Sequence, residues 1–82
     1  MPISETQILR LLAERIKTLR EARGWTQEQF AERAAMQRSY LGDLELGRRN
    51  PSVRTLVKVA NAFGVAVPEL FERGREGRRA RT

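Results

Sequence analysis

The stretch TQEQFAERAAMQRSYLGDLELG, residues 26–47, predicts two short helices joined by a tight turn. Thr26 and Gln29 have the spacing of a capping box, which satisfies the free N–H groups at the start of a helix. Gly47 is typical of the residue that ends the second helix. The apolar positions recur at helical spacing and predict the buried faces of both helices: Phe30, Ala31, Ala34, Leu41 and Leu44.

The second of these helices is expected over about residues 37–46, and its start carries polar side chains that face outward. They are Gln37, Arg38, Ser39 and Tyr40. All four donate or accept hydrogen bonds at the tip of a helix, which is the part that enters a DNA major groove. The pattern therefore predicts a helix-turn-helix that reads double-stranded DNA.

The rest of the chain predicts three more helices and no strand. Ser4 and Gln7 repeat the capping-box pattern and begin a long first helix that ends near Gly24. Ser52 caps a fourth helix, and Pro68 begins a short last one. The apolar faces predicted for the first and fourth helices are Ile8, Leu12, Ile16 and Leu19, and Val53, Leu56, Val57, Ala60 and Phe63. The predicted fold class is all-α, a compact bundle of five helices.

Composition limits what the chain can do. Its 82 residues leave room for one small core. Because it contains neither cysteine nor histidine, disulfides, thiolate chemistry and a zinc or haem site are excluded, and neither a cofactor nor an enzyme activity is predicted. No apolar run approaches the roughly 18 residues of a membrane span, so no membrane contact is predicted and a cytoplasmic location is expected.

The formal charge of +6 points to a polyanionic partner, but it is unevenly distributed. Residues 73–82 hold five arginines and one glutamate, which gives this tail +4 and leaves the rest of the chain at +2. A folded domain over residues 1–72 and a disordered basic tail over 73–82 are therefore predicted. The tail either adds sequence-independent affinity for phosphates or serves only solubility.

Residues 12–71 resemble the helix-turn-helix domain of the Cro/CI (XRE) family of prokaryotic transcriptional regulators. The resemblance rests on an ordered set of motifs: RGWTQ, SYLGDLELG, RRNPS and GVAVPELF. It implies the lambda-repressor-like form of the helix-turn-helix fold, and the chain looks most similar to controller proteins of restriction–modification systems. One departure is Ala35, which stands at a turn position where the family most often has glycine.

The resemblance also implies roles for individual residues. Gln27 matches the glutamine that binds the DNA backbone in the family, and Glu45 matches a structural glutamate that pairs with an arginine. Arg38 is the first choice for reading a base, with Ser39 and Tyr40 beside it. The connection after the second helix is expected to reach flanking phosphates through Arg48, Arg49 and Asn50.

Asp43 leaves two interpretations open. It either accepts a hydrogen bond from a cytosine amino group or is held by an arginine such as Arg48. The family also implies a homodimer on a palindromic operator, because one helix touches only about four or five base pairs. The predicted dimer interface consists of Leu46, Val65, Ala66, Val67, Leu70 and Phe71.

Alternatives to a restriction–modification controller stay open. Phage-type repressors and antitoxin-type autoregulators share the fold and differ more by operon context than by sequence. The same fold also serves as a protein-interaction module in coactivator bridging factors. No small-molecule ligand is evident from the sequence.

Overall fold

The computed structural model describes residues 2–73 and consists of helices joined by short turns. Its elements are α1 (Glu5–Ala22), α2 (Gln27–Arg33), α3 (Arg38–Glu45), α4 (Val53–Phe63) and a final 3₁₀ helix (Val67–Phe71). The all-α fold is confirmed, with no strand in the described part, although the fifth helix is 3₁₀ rather than α. The predicted disorder of the tail falls on residues 74–82, outside the described residues.

Both predicted capping boxes are present. The Gln7 amide N–H donates to Ser4 Oγ at 3.1 Å, and the Ser4 N–H donates back to Gln7 Oε1 at 2.9 Å. Thr26 and Gln29 repeat the arrangement at the same two distances. Each box satisfies two N–H groups that a helix start leaves free, and so fixes where α1 and α2 begin.

The core is built around three stacked aromatic rings. Phe30 and Phe63 lie with ring centroids 4.5 Å apart, and Trp25 stacks on both at 6.0 and 5.8 Å. The packing of Trp25 on Phe30 fixes the entry of the chain into α2. Aliphatic side chains from α1, α3, α4 and the 3₁₀ helix complete the core: Leu12, Ile16, Leu19, Leu41, Leu44, Val59 and Leu70.

Two of the predicted apolar faces need correction. Ile8 is 37% exposed, because the fully buried stripe of α1 begins only at Leu12. On α4, Val53 and Val57 are 74% and 42% exposed, whereas Val59 is fully buried. The buried face of α4 is therefore rotated toward Val59, a position that apolar spacing alone does not distinguish from its valine neighbours.

Ala35, at the turn position where the family most often has glycine, takes the left-handed conformation with a φ of 55°. A Cβ in this region costs roughly 1 kcal/mol or more. Ala35→Gly is therefore expected to raise the free energy of unfolding by about 0.5–1 kcal/mol, visible in a thermal melt as a midpoint several degrees higher. Ala22→Gly, at an exposed helical position, is the matched control and should lower the midpoint. A lower midpoint for Ala35→Gly as well would contradict a strained turn.

Candidate nucleic-acid interface

α3 is anchored on one side and open on the other. Leu41, Leu44 and Glu45 are buried against the other helices. The remaining positions of its outer face are exposed or half-buried: Ser39, Gly42, Asp43 and Leu46. Since these positions are spaced three or four residues apart, they form one continuous strip along the helix. A helix held in this way presents a fixed surface to a partner.

A buried ion pair locks α3 to α1. Arg20 Nε donates to Glu45 Oε2 at 2.7 Å, and its Nη2 donates to Oε1 at 3.1 Å, a two-pronged arrangement with 11% and 3% of the two side chains exposed. Arg20 also donates from Nη1 to the carbonyl oxygen of Trp25 at 2.7 Å. The arginine partner expected for Glu45 is therefore Arg20.

The same carboxylate also holds the start of α2. Gln27 Nε2 donates to Glu45 Oε1 at 3.0 Å, so α1, α2 and α3 meet at one group. The hydrogen bond to Glu45 raises the pKa of Arg20 above the usual arginine value. Because a pKa raised on folding adds stability at every pH below the unfolded value, Arg20 introduces no pH dependence into the stability at ordinary pH.

The first turn of α3 carries the residues predicted to read bases. Gln37 caps the helix without a side-chain hydrogen bond, and Arg38 and Ser39 follow with exposed side chains. The free N–H groups of this turn and the positive end of the helix dipole favour an anion at this point. Arg38 also lies over a surface hollow lined by Glu28 and Glu32 of α2.

Tyr40, Asp43 and Arg49 form a cluster on one flank of α3. Arg49 Nη2 lies 3.5 Å from Asp43 Oδ2, and its guanidinium carbon lies 5.3 Å from the centre of the Tyr40 ring. Tyr40 is half-buried and packs on the core. Of the two interpretations of Asp43, the structure supports pairing with an arginine, but the arginine is Arg49 rather than Arg48.

The chain after α3 turns back along the helix. The Arg48 N–H donates to the Asp43 carbonyl oxygen at 2.9 Å, which leaves the Arg48 side chain exposed. Asn50 Nδ2 donates to Glu5 Oε2 at 3.0 Å, so this side chain joins the connection to the start of α1. The three residues predicted to contact phosphates are all exposed, but their contacts differ. Arg49 is paired with Asp43, and Asn50 is hydrogen-bonded to Glu5 of α1.

Lys58 borders this surface, although no motif in the sequence singles it out. Its Nζ lies 3.5 Å from the carbonyl oxygen of Ala35, in the turn before α3. Lys58 and Thr55 line a shallow hollow with Gln37 and Tyr40. The contact depends on how α4 packs on the turn, so no pattern within α4 signals it.

The predicted dimer interface is only partly brought together. Val65, Val67 and Phe71 are half-buried at the 3₁₀ helix, and Ala66 beside them is exposed. Two members are corrected, Leu70 and Leu46. Leu70 is fully buried in the core of its own chain and offers no surface to a second copy.

Leu46 is 64% exposed but lies away from the surface around the 3₁₀ helix. It borders Arg10 and Glu14 of α1, whereas the 3₁₀ helix meets a different flank of α1, where Arg15 Nε donates to the Glu69 carbonyl oxygen at 2.8 Å. Leu46 therefore belongs to the strip of α3 and not to the surface around the 3₁₀ helix.

Other kinds of site find little support in residues 2–73. This part of the chain contains no group of three or more acidic, histidine or cysteine side chains placed to hold a metal ion. None of its helices is both long enough and apolar enough to cross a membrane.

Comparison with known proteins agrees with this geometry. A model of the helix-turn-helix family matches residues 16–70, which include α2, the turn and α3. The chain therefore belongs to the helix-turn-helix family of transcriptional regulators, as its resemblance to the Cro/CI (XRE) proteins predicted. This is a family of regulators rather than of enzymes.

The relatives include phage repressors and restriction–modification controllers. The immunity repressor protein of Bacillus phage phi105 is 50% identical over 56 residues, which are 68% of this chain and 39% of that protein. Control protein C.SmaI of Serratia marcescens is 36% identical over 66 residues, which are 80% of this chain and 79% of that protein. The crystal structure of the restriction–modification controller protein C.AhdI from Aeromonas hydrophila matches with a TM-score of 0.74 at 38% identity, covering 77% of this chain and 96% of that one.

The extent of the match differs among relatives. The chain spans less than half of the phage repressor and of the regulator DdrOP3 of Deinococcus deserti, at 39% and 47% of their lengths. It spans most of the two controller proteins. Their likeness to this chain thus extends over nearly a whole protein rather than over one domain of it.

Proposed function

We propose that this protein regulates transcription by binding a specific DNA sequence, with the start of α3 in the major groove. The observation that carries the proposal is the combination of an exposed Arg38 and Ser39 with a helix whose opposite face is locked by Glu45 and Arg20. Base readout needs side chains held in a fixed register against the groove, and the buried ion pair supplies that register.

Gln27 and the start of α2 contact the DNA backbone in this proposal. The amide nitrogen donates one hydrogen to Glu45 Oε1 at 3.0 Å. Its second N–H and the free N–H groups of the first turn of α2 are then the donors for the DNA backbone. A phosphate is favoured there by the N–H groups and by the helix dipole. Because Gln27 and α3 share Glu45, the phosphate contact and the base-reading tip are set by one group.

Base readout is assigned to Arg38, with Ser39 and Tyr40 in support. A guanidinium at the start of a recognition helix can donate two hydrogen bonds to guanine O6 and N7, a pattern that the other base pairs do not present. Ser39 is short enough to lie against a base edge. Tyr40 is half-buried and lines a shallow hollow together with Gln37.

The flanking contacts extend the interface toward the backbone of the DNA. Arg48 is exposed and free to contact a phosphate. Arg49 keeps Asp43 as its partner and adds its charge beside the groove, while Asn50 exchanges Glu5 for a phosphate. Lys58 adds a cation beside the turn. Such contacts position the protein and raise affinity for any sequence, and they make binding depend on salt.

A homodimer is proposed through the surface around the 3₁₀ helix, consisting of Val65, Ala66, Val67 and Phe71. Two copies related by a two-fold axis would present two α3 helices to a palindromic operator, which gives the specificity that one helix lacks. Sedimentation should find a dimer at tens of micromolar protein. A monomer at that concentration would contradict the proposed interface.

The role in transcription follows the named relatives, which are repressors and controllers. Selection of binding sites from a randomised duplex pool tests the proposal. The proposal predicts that the selected duplexes share a recurrent consensus sequence. If no sequence is enriched, and the affinity for the pool depends only on the salt concentration, a protein-interaction role for the same fold would be favoured.

A further inference from the structure

A carboxylate stands in the middle of the surface that would meet DNA. Asp43 lies four residues after Ser39 on the outer strip of α3, with 36% of its side chain exposed. Phosphates repel it, and most atoms of a major-groove floor are acceptors that repel it too. A negative group at this position therefore either weakens every complex or discriminates among base pairs.

Arg49 orients this carboxylate and partly neutralises it. The guanidinium lies 3.5 Å from Oδ2 and rests over the Tyr40 ring at 5.3 Å, so it is fixed from two sides. Within residues 2–73, no side-chain or backbone hydrogen bond to the other oxygen, Oδ1, is present. Oδ1 of Asp43 is thus left as an acceptor without a hydrogen-bond donor in this part of the chain.

The neighbours of Asp43 allow α3 to approach bases closely. Gly42 has no side chain, and Ser39 has a short one. A Cβ added to Gly42 would lie 3.8 Å from Gln27 Oε1, an ordinary contact, so the glycine is not required by packing. With little bulk on either side, a side chain as short as aspartate can reach a base edge.

The major groove offers a carboxylate few partners. Only cytosine N4 and adenine N6 present hydrogen-bond donors there, and the adenine amino group stands beside the N7 acceptor. Cytosine is therefore the base that accommodates an aspartate best. We infer that Asp43, oriented by Arg49, is a specificity-determining residue that selects a cytosine in each half-site, largely because guanine and thymine present only acceptors in the major groove and repel a carboxylate.

This inference rests on the proposed function and is tested by comparing selected sites. The full chain, Asp43→Ala and Asp43→Asn are each used to select duplexes from the same randomised pool. The alanine variant should lose about a tenfold or larger preference for cytosine at one position of each half-site and keep the others. The asparagine variant should shift that position toward adenine, which an amide binds through N6 and N7.

Glu21→Gln on α1 is the matched control, because it removes one exposed negative charge and lines neither of the hollows that border Leu46 on the α3 strip. It should leave the preference at every position unchanged. Arg49→Ala should relax the same position as Asp43→Ala, but less. Circular dichroism of each variant verifies that the helices are intact.

Two results would overturn the inference, and they are distinguishable. If both Asp43 variants return the consensus of the unaltered chain at every position, Asp43 does not determine specificity and the proposed function stands. If the unaltered chain itself yields no consensus, the proposed function fails and the inference fails with it.

Discussion

Glu45→Ala is expected to lower the free energy of unfolding by about 3 kcal/mol, a large share of the stability of a domain of this size. Among residues 2–73, the substitution leaves the buried Arg20 guanidinium with the Trp25 carbonyl oxygen as its one remaining hydrogen-bond partner. Breaking a buried ion pair by removing one member strands a charge, and this costs more than the pair itself contributes. Urea unfolding followed by circular dichroism measures the difference.

The control is the double variant Arg20→Met, Glu45→Met. It removes both charges and replaces them with apolar side chains of adequate volume, so it should be more stable than Glu45→Ala. The same alanine variant should also bind DNA more weakly, because Gln27 loses its partner. An unfolding free energy for Glu45→Ala within about 0.5 kcal/mol of the unaltered chain would contradict the buried network.

Arg38→Ala is expected to weaken binding to the selected operator by about 10- to 100-fold per reading helix, while binding to unrelated DNA changes little. The difference arises because a bidentate contact to guanine is made only at the correct base, whereas a phosphate contact is made anywhere. Titration of labelled duplexes, one carrying the operator and one a scrambled sequence, measures both affinities at the same salt concentration.

Arg38→Lys separates base reading from charge. Lysine keeps the positive charge but cannot form the planar two-pronged contact. The variant should keep most of its affinity for scrambled DNA and lose most of its preference for the operator. If Arg38→Ala lowered both affinities equally, Arg38 would be a phosphate contact and the base-reading role would belong elsewhere on α3.

The features that the sequence predicts correctly are local. A capping box is defined by two residues within a stretch of four, and the spacing of those residues alone predicts both boxes and the helix starts. The placing of Arg38 and Ser39 at an exposed helix tip follows from the same local pattern.

The features that the sequence does not predict depend on how helices pack. Apolar spacing placed Val57 inward, but the angle at which α4 meets the core buries Val59 instead. Arg48 and Arg49 are adjacent, and only the turn after Gly47 decides that the second of them meets Asp43. Leu70 is apolar like Phe71, yet the 3₁₀ helix turns it into the core.

The central claim is that α3 reads a specific sequence, and one titration tests it most directly. The best duplex from a selection and its scrambled counterpart are titrated with the full chain at about 150 mM salt. The account predicts an operator affinity about 10³-fold or more above that for the scrambled duplex, with two protomers bound per palindromic site. Equal affinities that fall together as salt rises would contradict it.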